Sequence, residues 1–136
     1  MIGERVERDY SGRSLFDKLG VVADAHVALI GCHEEVFTTN LNARLAKAAS
    51  QSLRTRYDII FLRIDGPRDL PRIPRAAVHL KSDGALWVFH PKGRGAAPTD
   101  AEVRSTGIAA GLVDNKISAY SESHTATRFV IPIALR

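Results

Sequence analysis

Residues 82–92 have the sequence Ser-Asp-Gly-Ala-Leu-Trp-Val-Phe-His-Pro-Lys, and the rest of the chain is organised around this stretch. Turn-forming residues open it, five consecutive apolar residues follow, and a proline with a basic loop closes it. A continuous apolar run between turn signals is typical of a strand that is buried on both faces. We therefore predict that it is the central strand of an α/β domain, with Trp87 in the core.

The composition excludes several classes of protein. With 136 residues, of which 45% are hydrophobic and 25% charged, the chain is expected to form a globular domain with its own core. Cys32 is the only cysteine, so an internal disulfide is excluded and a reducing compartment is compatible. No apolar run has the length of a signal peptide core or a membrane span, which predicts a cytoplasmic protein without a membrane partner.

Further segments on both sides predict alternating strands and helices. Additional strands are expected at residues 26–31, 57–64, 112–120 and 128–135. Helices are expected at residues 14–19, 40–53, 74–80 and 99–110, with an edge strand within 40–53 as an open alternative. Ser14 is the expected cap of the first helix, and Thr99 with Glu102 has the capping-box pattern for the last. Residues 1–13 are polar and are predicted to form an arm, so that 14–136 make up one domain.

The order of these elements predicts the topology of the sheet. Three helical crossovers between strands imply a mostly parallel sheet, and the short connection before the last strand implies an antiparallel pair at the C-terminal end. Pro132 lies within the expected last strand, which predicts that this strand either lies near an edge of the sheet or frays at the proline. An apolar last strand at an edge would allow a second copy to pair with it, so a homo-oligomer is one expectation.

Short motifs across nearly the whole chain carry a resemblance to a known family. They are Tyr10-Ser11-Gly12, Leu19-Gly20, Gly31, Tyr57-Asp58-Ile59-Ile60, Gly84-Ala85-Leu86-Trp87-Val88, Pro91-Lys92, Pro98-Thr99-Asp100, Gly111-Leu112-Val113-Asp114-Asn115-Lys116 and Arg128-Phe129-Val130. With these motifs the chain resembles short bacterial proteins of unknown function that are related to class I, Rossmann-like methyltransferases. The resemblance implies a truncated fold of that type and no established activity. The chain departs from the family at His124, where tryptophan is usual, and at Cys32-His33, which replace an Ala-Pro pair.

The turn after the first strand argues against the cofactor that such a fold suggests. Binding of S-adenosylmethionine needs a glycine-rich turn there and an acidic residue at the end of the second strand for the ribose hydroxyls. Here Gly31 is followed by Cys32 and His33, and the chain is too short for the full set of strands. S-adenosylmethionine is therefore disfavoured and no cofactor is predicted. Adjacent Cys32, His33 and Glu34 do not make a metal site, because zinc needs about four converging ligands.

Candidate ligand-binding residues follow the strands, because open parallel sheets bind ligands at the carboxyl ends of their strands. These candidates are Gly31, His33, Asp65, His90 and Lys92. Lys92 and Arg94 either bind a phosphate or carboxylate or are ordinary exposed charges. A second group of polar residues, Asp114, Asn115, Lys116 and Arg128, is expected to make structural contacts, with Arg128 forming a salt bridge to Asp114 or Glu122.

Three functions remain from the sequence alone. The favoured one is a module without methyltransferase activity that binds a small ligand or another protein. The first alternative is a methyltransferase that uses S-adenosylmethionine through a degenerate motif. The second is nucleic-acid binding through a basic face, suggested by the net charge of +4 and by six arginines within 22 residues. Those arginines are Arg54, Arg56, Arg63, Arg68, Arg72 and Arg75.

Overall fold

A five-stranded sheet runs through the part of the chain that the computed structural model describes, residues 15–136. Its strands are β1 (Val27–Ile30), β2 (Tyr57–Arg63), β3 (Leu80–Pro91), β4 (Val113–Ala119) and β5 (His124–Val130). The helices are α1 (Leu15–Lys18), α2 (Glu35–Arg44), α3 (Arg72–Ala77) and α4 (Asp100–Ala109), with short 3-10 turns at Pro67–Asp69 and Ile133–Leu135. The expected arm and the expected cap at Ser14 lie outside the described residues.

The strands are arranged in the order β1-β2-β3-β5-β4. Strands β1, β2 and β3 are parallel, whereas β5 is antiparallel to both β3 and β4. This arrangement confirms the mostly parallel sheet with an antiparallel C-terminal pair and the central place of β3. Of the two alternatives for the last strand, the edge position is wrong, because β4 takes the edge. The other is confirmed: β5 ends at Val130, before Pro132, so the proline does not interrupt the ladder.

The core has two halves, one on each face of the sheet. Trp87 and Phe89 point to the half that α1 and α2 cover, and Leu86 and Val88 point to the half that α3 and α4 cover. Trp87 is 1% exposed and its indole Nε1 donates a 3.0 Å hydrogen bond to the Leu19 carbonyl. Because successive side chains of a strand face opposite sides, a strand buried on both sides needs the uninterrupted apolar run that the sequence shows.

The segment between β1 and β2 differs from the expected helix at residues 40–53. Helix α2 begins earlier, at Glu35, and ends at Arg44. The alternative of an edge strand is present only as a single parallel bridge, in which Ser50 pairs with Ala28 beside β1. Local propensity predicted a helix here but not its ends. The backbone of Ser50 pairs with β1, and a residue in that extended pairing cannot also belong to the helix.

Two other boundaries were only partly predicted. The turn expected at residues 82–84 is wrong, because β3 already begins at Leu80. Gly84 has a reason to be glycine there: a Cβ atom would lie 2.8 Å from the Tyr57 carbonyl oxygen, at an irregular register between β2 and β3. Helix α3 ends before Val78, shorter than predicted. The capping box at Thr99 and Glu102 is confirmed at the start of α4.

Candidate ligand site at the carboxyl ends of the parallel strands

The carboxyl ends of the parallel strands lie together at one end of the sheet, here called the carboxyl edge. It contains the turn after β1, the residues after β2 and the end of β3. Gly31 leaves β1 with a φ of 102°, and a Cβ atom there would lie 3.0 Å from the Arg63 carbonyl oxygen. A glycine is thus needed for the chain to turn closely across the end of β2. Because β5 is antiparallel, it begins at this same edge with His124.

The His33 side chain lies across the ends of β1 and β2. Its Nε2 atom is 3.0 Å from the carbonyl oxygen of Ile30 and 3.0 Å from that of Phe61. Carbonyl oxygens only accept hydrogen bonds, so Nε2 carries the proton, and Nδ1 is a buried acceptor that has no partner among residues 15–136. Burial is the largest influence on the His33 pKa and lowers it, against the opposing carbonyl contacts.

Glu34 connects the turn after β1 to two other elements. Its carboxylate forms an ion pair with Arg63 at the end of β2 and accepts a 2.6 Å hydrogen bond from the Tyr120 hydroxyl. The Arg63 Nε atom also donates a 3.0 Å hydrogen bond to Asp65. Burial lowers the Arg63 pKa, but the bonds to the two carboxylates outweigh it, and the pKa is raised overall. The guanidinium therefore stays charged. Arg63, Glu34, Tyr120 and Asp65 form a set of bonded polar side chains, here called the network.

The network continues from Asp65 to the start of β5. The His124 Nε2 atom is 2.9 Å from the Asp65 carboxylate, and its Nδ1 atom is 2.7 Å from the Ser123 hydroxyl oxygen. An ionised carboxylate only accepts, so Nε2 carries the proton and Ser123 donates to Nδ1. Burial, followed by the charge of Arg63, lowers the His124 pKa. The imidazole is thus held as a neutral ring at this edge.

The two candidates at the end of β3 lie beside the network rather than in it. His90 is 1% exposed, with Nε2 2.8 Å from the Thr127 hydroxyl. Its Nδ1 atom lies 3.6 Å from the Asp100 carboxylate, which is longer than a hydrogen bond, and burial lowers the His90 pKa. Lys92 is exposed, and its backbone N–H donates to the Ser123 carbonyl.

A shallow cleft of about 440 Å³ opens next to the network. Its lining residues are Cys32, Arg63, Asp65, Gly66, Arg68, Asp69 and Arg72. Asp69 accepts a 3.0 Å hydrogen bond from the Asp65 N–H and lies 3.8 Å from Arg72. Arg68 is exposed and forms no ion pair within the described residues. The cleft therefore presents three guanidinium groups against two carboxylates, one of which already engages Arg63.

The second group of predicted polar residues lies along β4 and β5, away from this cleft. Asp114 accepts a 3.1 Å bond from Arg104, and the Lys116 ammonium donates to the Lys18 carbonyl. The salt bridge expected for Arg128 is wrong, because its guanidinium instead donates a 3.2 Å hydrogen bond to the Asn115 amide oxygen. The bulge between Asp114 and Lys116 explains this, since it interrupts the alternation of side chains along β4.

The arginine-rich stretch does not form one face. Arg54 and Arg56 precede β2, whereas Arg63 ends it and Arg68 and Arg72 follow it, so the two groups lie at opposite ends of a seven-residue strand. No three histidine, cysteine, aspartate or glutamate residues among positions 15–136 are placed to hold a metal ion. In the same range, no helix is long and apolar enough to cross a membrane.

Four residues of the network were missed as site residues from the sequence: Glu34, Arg63, Tyr120 and His124. Glu34 and Arg63 could have been found from the sequence, because both charged residues lie within three positions of the end of a predicted strand, at the expected ligand edge. Tyr120 carried none, since its partner Glu34 is 86 positions away in the chain. His124 was noted only for replacing a tryptophan, and its contact with Asp65 spans 59 positions.

No family model and no curated protein sequence matches the chain. Solved structures do match. A putative methyltransferase from Thermoplasma acidophilum superposes with a TM-score of 0.66 at 9% identity, covering 83% of this chain and 70% of that one. Magnesium protoporphyrin IX methyltransferase from Synechocystis PCC 6803, with bound SAM, gives 0.60 at 12% identity over 82% and 74%. Ribosomal protein L11 methylase from Lactobacillus delbrueckii subsp. bulgaricus gives 0.55 at 13% over 84% and 73%.

These matches show the fold of the chain. The domain has a Rossmann-like α/β fold like that of class I methyltransferases, which confirms the fold that the resemblance in the sequence motifs implies. At 9–13% identity the comparison extends to architecture and not to activity.

Proposed function

We propose that this domain binds a small anionic molecule in the cleft at the carboxyl edge and does not transfer methyl groups. The observation that carries the proposal is the way the chain's own side chains occupy the turn after β1. His33 bonds to carbonyls of both neighbouring strands, and Glu34 ties the turn to Arg63 and Tyr120. A cofactor that lies against the backbone of this turn would have to displace both side chains.

The strand next to β1 supplies a second argument. The ribose hydroxyls of a nucleoside cofactor are bound by an acidic residue at the end of a strand beside the first one. On the β2 side of β1 the acidic residue is Asp65, which already bonds to Arg63 and His124. On the other side, within residues 15–136, only Ser50 pairs with β1, through one bridge with Ala28. A serine hydroxyl that already donates to the Ser52 carbonyl is a poor replacement for a carboxylate that accepts two hydroxyl groups.

The ligand chemistry follows from the arginines of the cleft. Arg68 forms no ion pair within the described residues, and Arg72 lies 3.8 Å from Asp69, a loose contact that leaves most of its donors available. Guanidinium groups bind carboxylates and phosphates through paired N–H donors. The ligand we infer is therefore a small carboxylate or phosphate compound that Arg68 and Arg72 bind.

Thermal unfolding with added ligand tests this proposal. Citrate, pyrophosphate, S-adenosylmethionine and S-adenosylhomocysteine are the probes, since a ligand at about 100 times its Kd should stabilise the fold by about 2.7 kcal/mol. We expect citrate or pyrophosphate to raise Tm in the native protein and in Arg75→Gln, but not in Arg68→Gln. Arg75 is a matched control because it is exposed, lies one turn along from Arg72 and does not line the cleft.

The same assay decides against the methyltransferase alternative or for it. The neighbours that carry S-adenosylmethionine or S-adenosylhomocysteine make that cofactor the competing ligand. A rise in Tm with millimolar S-adenosylmethionine, and none with the anions, would replace the proposed function by cofactor binding.

A further inference from the structure

Within the described residues, Arg128 is a half-buried cation without an anionic partner, and it does not line the cleft proposed above as the ligand site. It lies in β5 between Trp87 of β3 and Lys116 of β4, in register with both. Among residues 15–136 the Asn115 amide is its hydrogen-bond partner, and no carboxylate there forms an ion pair with it. Burial and the nearby Arg136 both lower the Arg128 pKa, so the charged form is held at a cost.

A cleft of about 300 Å³ opens beside this guanidinium, at the edge of the sheet where the parallel strands begin, here called the amino edge. Its apolar lining residues are Leu19, Val22, Ile59 and Ala85, of which Val22 is the exposed one, at 59%. A second cleft of about 240 Å³ is also lined by Arg128, together with Lys18, Lys116 and Asp17, whose carboxylate forms an ion pair with Arg44. Arg128 thus stands where both clefts meet, beside two further cations.

The larger cleft also has an acidic end. Asp24, Asp58 and Asp83 line it. Asp58 forms an ion pair with Lys81 at 3.2 Å and accepts a 2.7 Å hydrogen bond from the His26 backbone N–H. Asp24 and Asp83 are exposed, and within the described part of the chain neither forms an ion pair. As far as residues 15–136 show, the cleft therefore offers an unpaired guanidinium, two unpaired carboxylates and the exposed side chain of Val22 within one space of small-molecule size.

We propose that the amino-edge cleft is a binding site for a free amino acid with an apolar side chain. The carboxylate of the ligand pairs with Arg128, its ammonium faces Asp24 and Asp83, and its side chain lies against Val22. A zwitterion matches both signs of charge in the cleft, whereas a simple anion would meet the two carboxylates and a simple amine would meet the guanidinium. This site is independent of the ligand proposed at the carboxyl edge.

Isothermal titration with three matched probes tests the proposal. L-Leucine carries both charged groups, isocaproate lacks the ammonium group and isoamylamine lacks the carboxylate. We expect L-leucine to bind, and each of the other two to bind at least about tenfold more weakly, because each lost charged contact is worth about one decade in Kd. Equal binding of isocaproate and L-leucine would overturn the zwitterion assignment, and so would absence of L-leucine binding at millimolar concentration.

Two variants locate the site. Arg128→Gln should weaken L-leucine binding at least about tenfold, while Arg94→Gln, which removes an exposed arginine at the opposite edge, should leave it unchanged. If Arg128→Gln does not fold, Asp83→Asn at an exposed position provides the second test and should weaken binding several-fold. Unchanged L-leucine affinity in whichever of these two variants folds would overturn the proposal.

Discussion

The Tyr120 hydroxyl donates a 2.6 Å hydrogen bond to the Glu34 carboxylate, joining residues that are 86 positions apart. Glu34 belongs to the turn after β1 and Tyr120 follows β4, so the bond connects the parallel part of the sheet to its antiparallel end. The Tyr120 ring also stacks on Phe89 with centroids 4.3 Å apart. One side chain thus serves both the aromatic core and the polar network above it.

Removal of this hydroxyl should destabilise the fold without disturbing the core. Tyr120→Phe keeps the ring on Phe89 but leaves a half-buried carboxylate with one donor fewer. A hydrogen bond to a charged group is worth about 1.5–3 kcal/mol, and we expect a loss in this range in the free energy of unfolding. Urea unfolding followed by fluorescence measures it, and a change below about 0.5 kcal/mol would contradict the role assigned to the bond.

Gly107 should not tolerate alanine, although it lies inside a helix. Replacement of glycine by alanine in a helix ordinarily stabilises by up to about 1 kcal/mol. At Gly107, however, a Cβ atom would lie 2.2 Å from Cε1 of Phe129, whose ring is fully buried and has no room to move. We expect Gly107→Ala to destabilise by about 1–3 kcal/mol.

The control for this substitution is Gly66→Ala. No heavy atom lies within 4 Å of a Cβ atom at Gly66, and its φ of −160° suits any residue. Its free energy of unfolding should stay within about 0.5 kcal/mol of the native value. A neutral or stabilising Gly107→Ala in the same urea experiment would show that α4 can move away from the sheet.

Stability should fall as the pH decreases below about 6.5, the ordinary pKa of histidine. Burial is the largest cause of the lowered pKa of His33, His90 and His124. Between their folded pKa values and 6.5 the unfolded chain binds more protons than the folded one, so acidification favours unfolding. Above 6.5 these three groups are neutral in both states and contribute no slope.

Urea midpoints between about pH 7.5 and pH 5 measure this dependence, above the range in which most carboxylates titrate. His124→Gln should show a weaker decline than the native protein, because one of the three groups is gone. A midpoint that stays constant or rises on acidification would contradict the neutral state of the three rings.

The capping box at the start of α4 should contribute measurably to stability. The Thr99 hydroxyl accepts a 3.1 Å bond from the Glu102 N–H, and the Glu102 carboxylate accepts a 2.9 Å bond from the Thr99 N–H. Thr99→Ala should cost about 0.5–2 kcal/mol in urea unfolding. Thr106→Ala, in the interior of the same helix, is the matched control and should cost less. An equal effect of both substitutions would argue against the cap.

Local patterns in the sequence determined the elements that depend on near neighbours. The apolar run 85–89 located the central strand, and Thr99 with Glu102 located the start of α4, because burial on both faces and helix capping each leave a signature within a few residues. Three helical crossovers and the short final connection gave the mostly parallel sheet and its antiparallel end. The carboxyl edge was located as the ligand edge for the same topological reason.

Contacts between distant segments decided the rest. The end of α2, the interior position of β5 and the early start of β3 all depend on backbone pairing with strands far away in sequence, which no local propensity contains. Two hydrogen bonds form only once the strands are side by side: that of Tyr120 to Glu34 and that of His124 to Asp65. The same holds for Arg128, which among residues 15–136 meets the Asn115 amide and no carboxylate. A polar side chain carries its donors and acceptors in the sequence, but only the tertiary structure determines which partners it meets and which it lacks.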